Sequence, residues 1–230
     1  FNGQTISTAA KFDNCIMEYG GASYTLYVYS GSLDLRHTII RNGSGDAIYA
    51  GGTLPIFSLS SCTIQNYTGS GINGSGTDPI ITNCVFQTIG GIGVYASVPT
   101  IQNCTFSGIT GFPVSILPDG YKLMANNTFT TLVKKGIEFR SGTFTSNATL
   151  INQNIPYVIN GNVSVYKTSG SAMLTIEPGV VVKFNPSSLL QIGNSATNQG
   201  GMSAQGTPDS PIYFTSIKDD AVGGDTNGDG

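Results

Sequence analysis

The chain repeats one short pattern every 20 to 25 residues, and this repetition constrains its fold more than any other feature. Two near-copies, Ile-Thr-Asn-Cys-Val-Phe at 81–86 and Ile-Gln-Asn-Cys-Thr-Phe at 101–106, stand twenty residues apart. Weaker copies extend the series, with anchors separated by 22, 25, 22, 20 and 23 residues at Cys15, His37, Cys62, Cys84, Cys104 and Asn127. This period predicts a solenoid in which each copy forms one coil.

The composition favours short strands broken by turns. Glycine makes up 31 of the 230 residues and only 10% are charged, so the residues that favour helices are scarce. Three short strands per coil, stacked in parallel and in register, would bury the apolar residues of one coil in a common column: Ile101, Cys104, Phe106, Ile109, Val114 and Ile116. Asn103 lies at the bend between two strands, where Asn tolerates a left-handed conformation. We therefore predict an all-β parallel β-helix.

All four cysteines fall on one position of the repeat. Stacked coils place equivalent residues about 4.8 Å apart, a distance that is compatible with a bridge between neighbours such as Cys84 and Cys104. We expect instead a ladder of buried free thiols that act as small apolar side chains. His37 is assigned to the cysteine position of its own coil, so it is expected to be a packed or bend residue instead of a catalytic base.

Charge and hydropathy argue against two classes of partner. The net charge is −3 and the basic residues are scattered, which leaves no electrostatic footprint for nucleic acid. No apolar run approaches the ~20 residues that span a bilayer. The chain opens on Phe1 without a signal sequence, which leads us to expect a processed product or an excised segment.

Two regions resemble a known family. The Asn-Cys-Thr-Phe and Gly-Ile-Gly-Val copies in residues 1–150 resemble right-handed parallel β-helix repeats, and Leu174 to Thr215 looks like the opening coils of β-helical regions in large prokaryotic surface proteins. In that family an acidic loop commonly interrupts the first coils, and residues 219–230 match it. The resemblance implies a right-handed solenoid, an extracellular or cell-surface location, and one period of a longer repetitive polypeptide. Residues 1–150 would be later coils of one unit, and 151–230 the opening coils of the next.

The acidic loop is the strongest candidate for a metal site. Asp225-Thr226-Asn227-Gly228-Asp229-Gly230 places oxygen ligands at positions 1, 3 and 5 with glycine at 6, the start of a Ca²⁺ loop. Carboxylates nearby in the sequence would complete the set. We predict a structural Ca²⁺ site at Asp219, Asp220, Asp225, Asn227 and Asp229; the alternative is a solvated acidic turn.

The sequence gives weaker support to a catalytic site. A polysaccharide lyase would need clustered carboxylates or a basic residue beside Ca²⁺, yet the acids fall at different repeat offsets: Asp13, Asp34, Asp46, Asp78 and Asp119. Glu18 and Asp46 are the acids that could share a region, and Arg36 with Arg41 could accompany them.

A tyrosine strip is a further candidate site, which could stack on sugars or be ordinary strand surface: Tyr27 and Tyr29, with Tyr49, Tyr67 and Tyr95.

We therefore expect a non-enzymatic structural or adhesive segment, a rigid spacer or filament unit of a surface protein. Because exposed end coils pair with neighbours unless they are capped, further copies stacked head-to-tail are the expected partners, with surface glycans as a second class. The alternatives are a carbohydrate-active enzyme of the pectate-lyase type and a glycan-binding module.

Overall fold

A computed structural model describes residues 10–52, 54 and 56–230. The strand expected at Thr5-Ile6 lies outside these residues. Within them the chain forms parallel strands and one short 3-10 helix, Pro118–Leu123, which the sequence did not predict; no α-helix is present in these ranges. Nor does this part of the chain hold a helix with the length and apolarity that crossing a membrane requires. The chain divides into two compact units. The first unit consists of the residues up to Val114 together with Leu123–Leu132, and the second consists of Ser115–Lys122 together with Val133–Gly230.

The first unit is a parallel β-helix with three strands in each coil. One sheet contains β1 (Ala10–Asp13), β4 (Leu33–Arg36), β7 (Phe57–Ser60), β10 (Ile80–Thr82), β13 (Thr100–Gln102) and β16 (Met124–Ala125). A second contains β2 (Ile16–Glu18), β5 (Ile39–Gly43), β8 (Thr63–Tyr67), β11 (Val85–Ile89), β14 (Thr105–Ile109) and β17 (Thr128–Thr130). In this unit the third contains β3 (Tyr24–Val28), β6 (Asp46–Ala50), β9 (Ile72–Gly74) and β12 (Val94–Ala96). Strand β15 (Val114–Ile116) follows β14.

Equivalent residues of successive coils form buried columns. Ile81 pairs with Ile101 and Phe86 with Phe106, as the repeat predicted. The rings of Phe86 and Phe106 stack with centroids 4.9 Å apart, and Phe129 continues the stack at 5.4 Å. All six residues predicted to point inward in this coil are at most 1% exposed, which confirms the prediction. Burying each large side chain contributes about 1.5–3 kcal/mol, so the columns stabilise the stack.

Each coil of the first unit turns two corners through left-handed residues. The first corner has φ between 46° and 55° at Asn14, His37, Ser61, Asn83, Asn103 and Asn126. The second has φ between 51° and 64° at Tyr19, Asn42, Asn66, Thr88, Gly108 and Thr131. The left-handed conformation predicted for Asn103 is confirmed, and asparagine recurs because its short polar side chain tolerates this region.

The structure corrects the position assigned to His37. This residue occupies the left-handed corner, one place before the cysteine column, and its ring is exposed beside Asp13. The residue in the cysteine column is Thr38, which is fully buried and accepts the Cys15 N–H at its hydroxyl, 3.5 Å away. The sequence pattern matched His37 to Cys62 because Thr-Ile follows both, at 38–39 and 63–64, whereas the hydrogen bonds between coils place Thr38 in the column.

The cysteine column is a ladder of free thiols. Cys62, Cys84 and Cys104 are each 1% exposed and none is oxidised, as expected, whereas Cys15 at the first coil is only partly buried. The Cys62 N–H donates to the sulfur of Cys84 at 3.4 Å, so the thiols link neighbouring coils. The neighbouring thiols of Cys104 and Cys62, together with burial, raise the pKa of Cys84. The buried thiols therefore serve as packing groups.

Glycine in the Gly-Ile-Gly-Val copy allows coils to approach closely. A Cβ atom on Gly91 would lie 2.7 Å from the backbone carbon of Gly69 in the preceding coil. A Cβ atom on Gly93 would lie 2.4 Å from the carbonyl oxygen of Pro113 in the following coil. The motif therefore marks positions where only hydrogen fits between stacked backbones.

The second unit continues the parallel arrangement with longer strands. One of its sheets contains β18 (Ile137–Phe144), β20 (Tyr157–Val165), β22 (Val181–Phe184) and β25 (Tyr213–Ser216), with β23 (Leu189–Ile192) also on β20. A smaller sheet has β21 (Gly170–Ile176) between β19 (Ala148–Leu150) and β24 (Asn198–Ala204). A register shift between Arg140 and Gly142 interrupts the pairing of β18 with β20. After β25 the chain leaves the sheet and forms the acidic loop.

Candidate functional site

The acidic loop, residues 219–230, brings three of its predicted ligands together. Carboxylate oxygens of Asp220, Asp225 and Asp229 all lie within 4.8 Å of one another. Asp225 also accepts the backbone N–H of Gly228 at 2.6 Å and that of Gly230 at 3.2 Å, which closes the turn. Clustered carboxylate oxygens are hard donors of the kind that Ca²⁺ and Mg²⁺ take. The donor set therefore fits a hard divalent cation.

Two of the five predicted ligands, Asp219 and Asn227, are not part of the carboxylate cluster and make other hydrogen bonds. Asp219 accepts a hydrogen bond from the Thr215 hydroxyl at 2.6 Å and from the Ala221 N–H at 3.1 Å, so its carboxylate holds the loop to β25. Asn227 donates from its side-chain amide to Asp229 at 2.7 Å. Its amide oxygen faces the Asp229 N–H at 3.4 Å. Asn227 thus orients a carboxylate of the cluster.

Lys183 anchors the loop to the sheet. Its ammonium group donates to the backbone carbonyl oxygens of Asp219 and Gly224, each at 2.7 Å. Lys183 pairs with Val158 in the sheet, and both side chains are completely buried. Because Tyr157 and Ile159 on the opposite face are also buried, this part of β20 is covered on both faces. The loop is therefore packed against the outer face of the sheet, with Thr226 fully buried in it.

The electrostatics of this region follow from the same contacts. The Thr215 hydroxyl lowers the pKa of Asp219, and backbone N–H groups add to the effect. The Gly228 N–H likewise lowers the pKa of Asp225. Burial lowers the pKa of Lys183, while the carboxylates of Asp219, Asp220 and Asp225 act in the opposite direction. The hydrogen bonds of the loop thus favour the ionised carboxylates of Asp219 and Asp225.

Sequence reasoning missed Lys183. The run Val180-Val181-Val182-Lys183-Phe184 reads as a strand with one outward lysine, a common solvent-facing arrangement. The only signal was the position of that lysine on a strand that precedes the acidic loop. Nothing in its local pattern indicates that a segment 36 residues later covers it.

The acids considered for catalysis form bridges between coils or within them. Asp34 accepts from Ser58 at 2.8 Å and pairs with Arg36 at 3.0 Å. Glu18 pairs with Arg41 on the adjacent strand. Other acids accept backbone or side-chain groups of the next coil: Asp13 with His37, Asp46 with Ser70 and Asn73, Asp78 with Val98, Asp119 with Thr145. Glu18 and Asp46 lie in different sheets, on β2 and β6.

The tyrosine strip has a different membership from the one predicted. Tyr27 pairs with Tyr49, and their rings are 5.3 Å apart with planes at 6°. Tyr29 is 6.4 Å from Tyr27 with planes at 5°, and Tyr24 joins the group 4.8 Å from Tyr49. Tyr67 is instead buried, and Asn73 separates Tyr95 from Tyr49 along the column. We call Tyr24, Tyr27, Tyr29 and Tyr49 the tyrosine platform.

Comparison with known proteins adds no assignment. No protein-family model, curated protein or solved structure matches this chain. The features of the chain that bear on its function are therefore the fold, the acidic loop and the tyrosine platform.

Proposed function

We propose that this chain is a structural segment of an extracellular or cell-surface protein, a rigid β-helical spacer or filament unit. The observation that carries the proposal is the use of side chains as links between coils. Asn66 donates to Asn42 at 2.9 Å, Asn127 accepts the Cys104 N–H at 2.9 Å, and the acids of the coils act in the same way. Such links and the buried columns favour a stiff stack, the property that a spacer requires.

Head-to-tail stacking between copies is the partner mode of this proposal. Among the residues described, β25 has a neighbouring strand on one side only, and so does β3. Unpaired strand edges are templates for another strand. Phe214 on β25 extends the column of buried Val182 and is 44% exposed, so an added coil would cover an apolar side chain as well as the edge.

Sedimentation velocity and negative-stain electron microscopy over a range of concentrations test this mode. Concentration-dependent linear oligomers are expected, and Phe214→Lys should abolish them by placing a charge on the stacking edge. Met173→Lys is the matched control, because Met173 is 42% exposed on β21, which already has a strand on each side. A monomer at every concentration, or equal loss of oligomers in both variants, would count against head-to-tail stacking.

We further propose that the acidic loop binds Ca²⁺ in a structural role through Asp220, Asp225 and Asp229. The clustered oxygens support this, and Lys183 holds the loop in place beside them. Isothermal titration with CaCl₂, with MgCl₂ as the comparison, should show one site. Asp225→Asn should abolish it, whereas Asp209→Asn, an exposed acid outside the cluster, should not. Absence of Ca²⁺ binding, or binding retained in Asp225→Asn, contradicts the proposal.

A polysaccharide lyase is the rival from another class. Release of unsaturated uronides from polygalacturonate in the presence of Ca²⁺ tests it directly. Turnover that disappears on Arg41→Ala or Asp34→Asn would replace the structural proposal with an enzymatic one. The links of Asp34 to Ser58 and of Glu18 to Arg41 favour the structural role for these groups.

A further inference from the structure

The tyrosine platform exposes aromatic rings on the outer face of a sheet. Tyr27 is 58% exposed, Tyr29 is 64% exposed and Tyr24 is 37% exposed. The neighbouring strand β9 carries Asn73 at the equivalent position, which is the polar residue type expected on a solvated face. Contiguous exposed aromatic surface is typical of interaction sites.

The rings are held in position before any ligand arrives. Each platform ring contacts at least one other ring of the group at centroid distances of 4.8–6.4 Å. Gly51 lies beside them, and a Cβ there would come within 3.4 Å of Tyr49 and 3.5 Å of Tyr29. These are ordinary van der Waals distances, so the backbone at Gly51 borders the platform without crowding it. A pre-positioned aromatic surface loses little conformational entropy on binding.

The size of the platform argues against a protein as its occupant. A tyrosine side chain offers roughly 150–250 Å², so the three exposed fractions correspond to roughly 250–400 Å² of accessible ring surface. A stable protein interface needs about 800 Å² on each partner. The platform covers less than half of that area, and its extent matches the face of a small, flat ligand.

The charge around the platform selects a neutral ligand. Strands β3, β6, β9 and β12 contain no Lys or Arg, so an anionic ligand has no counter-charge on this face. Their one acid, Asp46, already accepts the Ser70 N–H at 2.6 Å and the Asn73 amide at 2.8 Å. What remains is apolar ring surface bordered by phenol hydroxyls. A pyranose ring matches it, because it has an apolar C–H face and hydroxyl groups at its edge.

We propose that the tyrosine platform binds a neutral oligosaccharide, with the sugar rings stacked on Tyr27 and Tyr29. The sugar would lie on side chains of the outer face of β3 and β6, whereas stacking would use the backbone edge of β3 and the Phe214 side of β25, so Tyr27→Ala and Phe214→Lys test the two proposals separately. Either proposal can fail without the other.

Isothermal titration tests the proposal with cellohexaose, chitohexaose and mannohexaose as neutral probes and hexagalacturonate as the charged comparison. At least one neutral probe should bind and hexagalacturonate should bind more weakly. Tyr27→Ala and Tyr29→Ala should each weaken binding about tenfold, the effect of losing one aromatic anchor. Tyr27→Phe should retain most of the affinity, because the ring is preserved.

The matched control is Tyr213→Ala, which removes a tyrosine that is 42% exposed on β25, outside the platform. Circular dichroism should show unchanged strand content in every variant. The proposal is overturned if no neutral probe binds at millimolar concentration, or if Tyr27→Ala and Tyr213→Ala bind equally well. It is also overturned if the wild-type chain dimerises and Tyr27→Ala prevents this, because the platform would then be a protein interface.

Discussion

The ammonium group of Lys183 lies 2.7 Å from the backbone carbonyl oxygen of Gly224, 41 residues further along the chain. A second carbonyl, that of Asp219, lies at the same distance. One buried cation thus binds the chain on both sides of Asp220 and immediately before Asp225, two members of the carboxylate cluster.

Lys183→Met should lower the free energy of unfolding by about 1–3 kcal/mol, because two partly buried carbonyl oxygens lose their donor. The loop should also become sensitive to limited proteolysis near Gly223 and Gly224. Denaturant unfolding and mass-spectrometric mapping of the cleavage sites measure both effects. Lys218→Met, at an exposed neighbouring lysine, should leave both unchanged. Equal protection of the loop in the two variants would show that Lys183 is not its anchor.

Acid should weaken the attachment of the loop to β25. The pKa of Asp219 is lowered in the folded state, so its contribution to stability is fully present above the unfolded pKa of about 3.9 and is lost as the pH falls through the folded value. The melting temperature should therefore fall more steeply below about pH 4 in the wild type than in Asp219→Asn or Thr215→Val. Identical pH profiles in all three proteins would contradict this origin of the acid sensitivity.

Thr88→Asn should stabilise the fold. Thr88 has φ of 55° and an exposed side chain, so a β-branched residue occupies a left-handed corner where the preceding coil has Asn66 and the following coil has Gly108. Relief of this conformation should raise the free energy of unfolding by about 0.5–1 kcal/mol. Thr110→Asn is the control, since Thr110 is exposed without a positive φ. An equal gain in the free energy of unfolding for Thr110→Asn would show that the effect comes from the asparagine side chain and not from the backbone conformation at Thr88.

The four thiols should differ in reactivity. Cys15 is partly exposed, whereas Cys62, Cys84 and Cys104 are buried, and the pKa of Cys84 is raised. Because the thiolate is the reactive species, iodoacetamide at pH 8 should label Cys15 first and Cys84 last. Peptide mapping over a time course measures the order, and all four should react together in denaturant. Rapid labelling of Cys84 in the native protein would show that the column opens.

Much of the fold follows from residue spacing alone. The twenty-residue interval between Cys84 and Cys104 sets the coil length, and the apolar residues between them alternate in a way that only stacked strands can bury. Asn103 indicates the corner, since its side chain tolerates the left-handed region. Two members of the carboxylate cluster were also visible as a motif, because Asp225 and Asp229 are close neighbours along the chain.

Contacts between distant segments decided the rest. The sequence is compatible with either His37 or Thr38 in the cysteine column, because the two alignments differ by only one residue. The hydrogen bond from the Cys15 N–H to the Thr38 hydroxyl shows that Thr38 occupies the column. The orientation of the Asp219 carboxylate likewise depends on the hydrogen bond that it accepts from the Thr215 hydroxyl.

The sequence by itself determined that this protein is a stack of short parallel strands, because stacking the repeats is what buries the apolar residues of every repeat in common columns. Only the tertiary structure decided that the acidic loop covers the outer face of a sheet and that Lys183 is buried beneath it. It also decided that Tyr24 joins Tyr27, Tyr29 and Tyr49 in one surface, and that Tyr67 and Tyr95 do not. The physical reason is that burial and ring contact depend on neighbours brought together by the fold, and no local pattern records them.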